Sequence, residues 1–218
     1  MGIQESNIVK AFGVRWWIIC SILPLVSCTT KEVRVPYYHT PDLSPTWSLD
    51  GGDTVHTIES FSFTNQEGKP FGSANLTNSI YVANFFFTSC PSICPKMTSN
   101  LTTVATYYED VEEVKLISFS VTPDIDSVPR LKAYHEGKGL SANWNLLTGN
   151  QSDIYRVSRQ SFFVEEEIGF NRDSSDFLHT ERCILVDQNH QIRGVYNATI
   201  ALDMDRLVED IEILRKTN

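Results

Sequence analysis

Three observations predict an α/β fold. Residues 80–87 and 114–121 are apolar runs of strand length, and each leads into a stretch with helical spacing. Residues 183–186 and 192–196 are two shorter apolar segments around Gln188-Asn189-His190-Gln191, and read as an antiparallel hairpin. A closing amphipathic stretch carries Leu207, Val208, Ile211 and Leu214 on one face. The order is therefore strand, helix, strand, helix, an inserted segment, a strand hairpin and a helix. Right-handed crossovers make the first two strands parallel and leave the late hairpin antiparallel. This is a thioredoxin-like layout, with an N-terminal β-hairpin extension and an inserted loop before the late strand hairpin.

The first 28 residues read as a leader outside the fold. Lys10 and Arg15 precede an apolar run at 16–27 that is too short to span a bilayer and contains Pro24. The run ends Leu25-Val26-Ser27-Cys28, which resembles a bacterial lipobox. Cys28 is then expected to carry lipid and to become the mature N-terminus. Residues 29–47 hold Pro36, Pro41 and Pro45 with Tyr37, Tyr38 and Trp47. That composition predicts a tether whose aromatics dock on the domain, and residues 48–218 are the domain itself.

Within the domain, Ile58, Phe61 and Phe63 precede the turn Asn65-Gln66-Glu67-Gly68-Lys69-Pro70, and a hairpin is expected over 55–72. Residues 80–87 form a buried strand. After a short polar turn, Pro95 opens a helix to about Tyr108, at a position where a missing N–H does no harm. Met97, Leu101, Val104 and Tyr108 form its core face. Residues 114–121 are the second buried strand. Ser127 caps a helix to about His135. Residues 144–147 are a short apolar piece, and 152–162 are helical with Ile154, Val157 and Phe162 inward. Residues 163–180 read as a long loop, and long loops in compact domains tend to be functional. Its Glu165-Glu166-Glu167 is a solvated face. Asp203 caps the last helix, with Arg215 and Lys216 in its last turn, as the helix dipole favours.

The chain has 218 residues, 41% hydrophobic and 21% charged, which is room for one sizeable domain plus extensions. Loss of the leader removes Glu5, Lys10 and Arg15, so 27 acidic and 18 basic residues become 26 and 16, a net charge of about −10. Such a surface does not attract nucleic acid. An exported domain is membrane-anchored through its lipid and faces the periplasm or another extracytoplasmic, oxidising space of a bacterium. Its thiols are Cys90, Cys94 and Cys183: one close pair and one left over. Cys183 begins a strand and reads as a small buried hydrophobe.

Cys90 and Cys94 stand four apart at the first turn of a helix, which puts them on one side of it. Helix N-termini favour anions, so both thiolates are expected to form more easily than in free cysteine. Two converging soft ligands suit a soft cation such as Cu(I), and they can equally oxidise to a disulfide. Spacing alone leaves both chemistries open. Met97 faces the core, and His39, His56, His135 and His190 have no partner spacing and read as surface residues.

Four motifs then carry a resemblance. They are Phe87-Thr88-Ser89-Cys90-Pro91-Ser92-Ile93-Cys94-Pro95, Ser120-Val121-Thr122-Pro123-Asp124-Ile125-Asp126, Asn145-Leu146-Leu147-Thr148-Gly149, and Asp176-Phe177-Leu178-His179-Thr180 followed by Ile184-Leu185-Val186-Asp187. Together they resemble the Sco/SenC copper proteins of cytochrome oxidase assembly, from roughly Trp47 to Leu214. The resemblance implies a thioredoxin fold with copper held by the two motif cysteines and the downstream histidine, which carry over to Cys90, Cys94 and His179. Asp126 matches an acidic position tied in that family to copper-site support or partner contact; otherwise it caps the helix near Ser127. Thr122 stands where the family often has aspartate. Thioredoxin-type redox proteins use Cys-x-x-Cys and a proline before the third central strand; this chain has one more residue in the motif and Leu178-His179-Thr180 at the matching place. Two thiolates and an imidazole suit Cu(I), and Cu(II) with one further ligand.

The function expected from this is a copper chaperone delivering Cu(I) or Cu(II) to the dinuclear copper site of a respiratory cytochrome c oxidase. Its partners would be the oxidase subunit that holds that site, an upstream copper donor and a thioredoxin-like reductant. The alternative is a thiol–disulfide reductase that keeps the target's cysteines reduced through a Cys90–Cys94 disulfide, with Cys90 attacking and Cys94 resolving. A peroxidase-like relative is disfavoured, because nothing resembles a peroxidatic Thr-x-x-Cys setting.

Overall fold

The computed structural model describes residues 2, 34–48, 55–164 and 180–217. Cys28, the Glu165-Glu166-Glu167 run and His179 lie outside these residues. In chain order the elements are β1 (Ser62–Asn65), β2 (Pro70–Gly72), β3 (Ile80–Phe86), α1 (Ile93–Tyr107), β4 (Val114–Ser120), α2 (Val128–Lys138), β5 (Trp144–Thr148), α3 (Gln151–Arg156), β6 (Arg182–Val186), β7 (Ile192–Asn197) and α4 (Ala201–Thr217).

The strands form one seven-stranded sheet in the order β2-β1-β5-β4-β3-β6-β7. β3 pairs with β4 in parallel, and β6 with both β3 and β7 antiparallel, as the crossover argument requires. The β1–β2 hairpin joins the far side by pairing antiparallel with β5. β5 itself is a third parallel strand beside β4, where the sequence suggests only a short apolar piece. Its five residues include Asn145, so length and pattern are both weak; burial of Trp144, Leu146 and Leu147 between the layers is what makes it a strand.

All seven residues of β3 are buried, because both faces of the sheet are covered. On one face α1 and α4 pack through Met97, Leu101, Leu207 and Ile211, in the same cluster as Cys90, Cys94 and Cys183. On the other, Phe61, Phe63, Phe85, Phe119 and Phe162 form an aromatic layer, with Phe85 and Phe119 stacked at 5.1 Å. A polar chain crosses the three central strands inside the core. Trp144 Nε1 donates to Ser118 Oγ at 2.8 Å, and Ser118 Oγ donates to Asn84 Oδ1 at 2.5 Å.

Several boundaries differ from the sequence reading. α1 begins at Ile93, so Pro95 lies within its first turn, where backbone N–H groups have no helical partner in any case. Ser127 precedes α2 but makes no side-chain cap bond. α4 begins at Ala201, and Asp203 Oδ2 accepts from Asn197 N–H at 2.9 Å, tying the end of β7 to the helix instead of capping it. The helix expected over 152–162 is α3 followed by a π-turn at Val157–Ser161. The four histidines are half-buried, not surface residues. His56 and His135 bond the carbonyls of Ser161 and Trp144 at 2.7 and 3.1 Å, and His190 approaches the Tyr81 hydroxyl at 3.3 Å. No helix among the described residues is long and apolar enough to cross a membrane.

Candidate dithiol and metal site

β3 ends at Phe86, and the chain turns through Thr88–Ser92 into α1. The turn lies at the C-terminal end of β3, between parallel β4 and antiparallel β6, the place where open α/β sheets keep their ligand sites. Cys90 N–H donates to the Phe87 carbonyl at 3.2 Å, which closes the turn. Cys94 N–H donates to Cys90 Sγ at 3.4 Å, so the first sulfur sits over the start of the helix. Both thiols are reduced and largely buried, at 7% and 3% exposure.

The two thiols differ in acidity. Burial works against the Cys90 thiolate, but hydrogen bonds from the Cys94 thiol and from the backbone N–H groups of Cys94, Ser92 and Ile93 outweigh it, and the group lies below the ordinary thiol value. For Cys94, burial dominates; a backbone contact at Phe87 opposes it, the Cys90 sulfur reinforces it, and the thiol is pushed up to about 12. The expectation that both thiolates form easily therefore holds for Cys90 and fails for Cys94. One helix start stabilises one anion; a second beside it meets the first charge in a dry setting.

Asp126 is fully buried beneath the turn. Its oxygens accept from Thr88 N–H at 3.1 Å, Thr88 Oγ1 at 2.5 Å, Ser120 Oγ at 2.7 Å and Thr122 Oγ1 at 3.2 Å. Arg130 Nε stands 3.5 Å from Asp126 Oδ1 and donates to Thr88 Oγ1 at 2.6 Å. The carboxylate thus ties the ends of β3 and β4 together and does not cap α2. Sequence reasoning missed Thr88, Ser120 and Arg130: nothing in their spacing joins position 88 to position 126. Thr122 supplies a hydroxyl donor to this network. Tyr134, also missed, packs on Phe86 at 5.6 Å between ring centroids and shares a hydrogen bond of 3.0 Å with the Thr98 hydroxyl, one turn along α1 from Cys94.

Cys183 and Met97 stay in the core, at 0% and 1% exposure. Burial, with Asp203 as a lesser cause, pushes the Cys183 thiol up. Among the described residues no three His, Cys, Asp or Glu side chains gather as a metal-binding group. Of the residues singled out from the sequence, Cys90 and Cys94 come together, Asp126 lies under their turn, and Thr180, which follows His179, is buried just before β6.

A thioredoxin-like sheet with a dithiol at the helix after its first central strand defines a class of thiol-bearing proteins. The SCO1/SenC family model matches residues 50–215, and the chain belongs to that family. Among solved structures, a SCO1/SenC family lipoprotein from Bacillus anthracis is 32% identical, with a TM-score of 0.63, over 77% of this chain and 99% of that one. BsSco, a Sco-family cytochrome c oxidase assembly protein with an identified disulfide switch, is 30% identical, with a TM-score of 0.61, over 75% of this chain and 96% of its own. Copper-bound ScoI of Arabidopsis thaliana is 25% identical, with a TM-score of 0.57, over 72% of this chain and 98% of its own.

Proposed function

We propose that this chain is a lipid-anchored, extracytoplasmic copper carrier that binds copper through Cys90, Cys94 and His179 and passes it to the dinuclear copper site of a cytochrome c oxidase. The observation that carries the reading is the convergence of two sulfurs at the start of α1, one of them poised as a thiolate, in a SCO1/SenC chain. Copper binding in the Arabidopsis relative and oxidase assembly in BsSco support it. Soft sulfur ligands favour Cu(I), and an imidazole completes a three-coordinate set. Both thiols must lose their protons, so affinity falls as the pH drops. Residues 1–28 are the leader ending at lipidated Cys28, 29–47 the tether and 48–218 the copper-binding domain; the lipoprotein from Bacillus anthracis supports the anchor. An upstream donor would load the site, and target thiols would take the metal by stepwise ligand exchange.

The unequal thiols favour a second activity on the same residues. The Cys90 thiolate attacks a target disulfide, a mixed disulfide forms, and one target thiolate leaves. Cys94, deprotonated as it attacks Cys90, then releases the second target thiol and leaves a Cys90–Cys94 disulfide. Two electrons pass to the target, Cys94 supplies one proton and solvent the other, and a thioredoxin-like dithiol restores the pair. Metal analysis and absorption spectroscopy of the reduced, copper-reconstituted protein separate the two. A thiolate-to-Cu(II) charge-transfer band is expected, and it should vanish in Cys90→Ala, Cys94→Ala and His179→Ala. No copper above background, with the dithiol still cycling, would leave reduction as the function.

A further inference from the structure

We infer that residues 34–48 are a strap locked onto the domain by Arg193, so that a lipidated Cys28 holds the domain on a much shorter leash than the proline-rich stretch suggests; the inference rests on the proposed lipid anchor.

Arg193 projects from β7, and its side chain is only 11% exposed. Nη2 donates to the Val35 carbonyl at 2.6 Å and Nε to the Pro36 carbonyl at 3.0 Å. Nη1 pairs with Asp187 Oδ2 at 2.8 Å, and Asp187 Oδ1 accepts from the N–H groups of Asn189 and Gln191. The lock is therefore fixed to the β6–β7 turn. The guanidinium also lies 3.8 Å from the centroid of the Tyr37 ring. Tyr38 N–H donates to the Ile192 carbonyl at 3.0 Å, and Tyr37 and Thr46 exchange two backbone bonds of 2.8 Å, which close the segment on itself. Val35 is buried in the core cluster that contains the cysteines. A free tether would leave these carbonyls to water. A planar fork serving two successive carbonyls, a carboxylate and a ring face fits one conformation of the segment.

The consequence is a matter of chain length. From Cys28 to Val35 is a step of about seven residues, spanning about 25 Å when fully extended and about 14 Å on average for a flexible chain. Released up to residue 48, the path grows to about 20 residues, about 70 Å extended and about 25 Å on average. The lock cuts the maximum reach about threefold. The lock keeps the domain close over the bilayer, where a membrane-embedded acceptor is the partner that fits.

The test uses the full-length lipidated protein on phosphatidylcholine bilayers. Chymotrypsin should cleave the wild-type strap slowly at Tyr37 and Tyr38, and Arg193→Ala should raise that rate at least tenfold. Neutron reflectometry should find the water gap between bilayer and protein about doubled in Arg193→Ala. Tyr37→Ser, which keeps Arg193 and the Asp187 pair, should raise cleavage at Tyr38 in the same direction while near-ultraviolet dichroism stays native. Wild-type cleavage rates in both variants, or an unchanged gap, would overturn the lock. Absence of lipid on Cys28 by mass spectrometry would overturn the anchor and the leash, while the cleavage rates still decide the lock.

Discussion

Cys90 and Cys183 carry the same side chain and pack into the same apolar cluster, but their surroundings set opposite chemistry. Cys183 opens β6 with 0% exposure, opposite Asn84 of β3 and Tyr196 of β7, and burial holds its proton on. Cys90 lies two residues beyond a buried hydroxyl network, over the first N–H groups of α1, and its thiolate is favoured. Reactivity here comes from unpaired helix-start N–H groups and a turn that brings the sulfur to them, not from the residue type. Cys94, one residue inside the helix, sits between the two: close enough to share the site, dry enough to keep its proton until a metal or a disulfide bond takes it.

The largest expected effect tests that contrast directly. In the reduced native protein, iodoacetamide should modify Cys90 at least about a thousandfold faster than Cys183, with a pH midpoint below the ordinary thiol value of about 8.5. Peptide mass spectrometry against time reads both rates, and equal rates would erase the distinction. Next, Asp126→Ala takes the shared acceptor from buried Ser120 and half-buried Thr88 and Thr122, and should lower stability by about 3 kcal/mol in urea unfolding. It should also blur the acidity difference, because the turn that aims Cys90 loses its fastening; Asp126→Asn should do less of both.

Cys183→Ser puts a hydroxyl where a thiol packed and should cost about 1–3 kcal/mol without changing alkylation of Cys90. The pH dependence sharpens the same point. Raised thiols keep their protons in the folded chain while unfolded thiols ionise, so the folded state binds more protons and stability falls as pH rises from about 8.5 toward 12. Cys90 has the opposite sign: its contribution is present above about 8.5 and is lost as pH falls through its lowered folded value. Replacing Cys183 by Ala should therefore flatten the alkaline fall in Tm. The smallest effect belongs to Met97→Leu, a volume-conserving change in the core, which should shift stability by less than about 1.5 kcal/mol and leave copper loading alone.

The central strands were legible because burial on both faces leaves long apolar runs, as in β3 and β4, and because the Cys-Pro-Ser-Ile-Cys-Pro turn punctuates the first of them. β5 was hard to read since five residues carry too little periodicity, and α3 because its last turn widens into a π-turn. Within the site, the two cysteines announced their closeness through local spacing. The inequality between them did not show, as it depends on how deep each sulfur lies, which is a tertiary property. Asp126 offered a choice between cap and support that only contacts 38 positions away in the chain could decide. Three of the histidines misled because of contacts the sequence hides: His56 and His190 meet a carbonyl and a hydroxyl from distant segments, and His135 the carbonyl that opens the next strand.

The bond chain from Trp144 through Ser118 to Asn84 also works as a registration key for the sheet. Sliding any one of the three strands by a single residue would strand an indole, a hydroxyl or an amide in hydrocarbon, a penalty no neighbouring alignment escapes. Only the native alignment keeps all three groups paired, and the point at which the polypeptide emerges to present its sulfurs is decided several residues upstream.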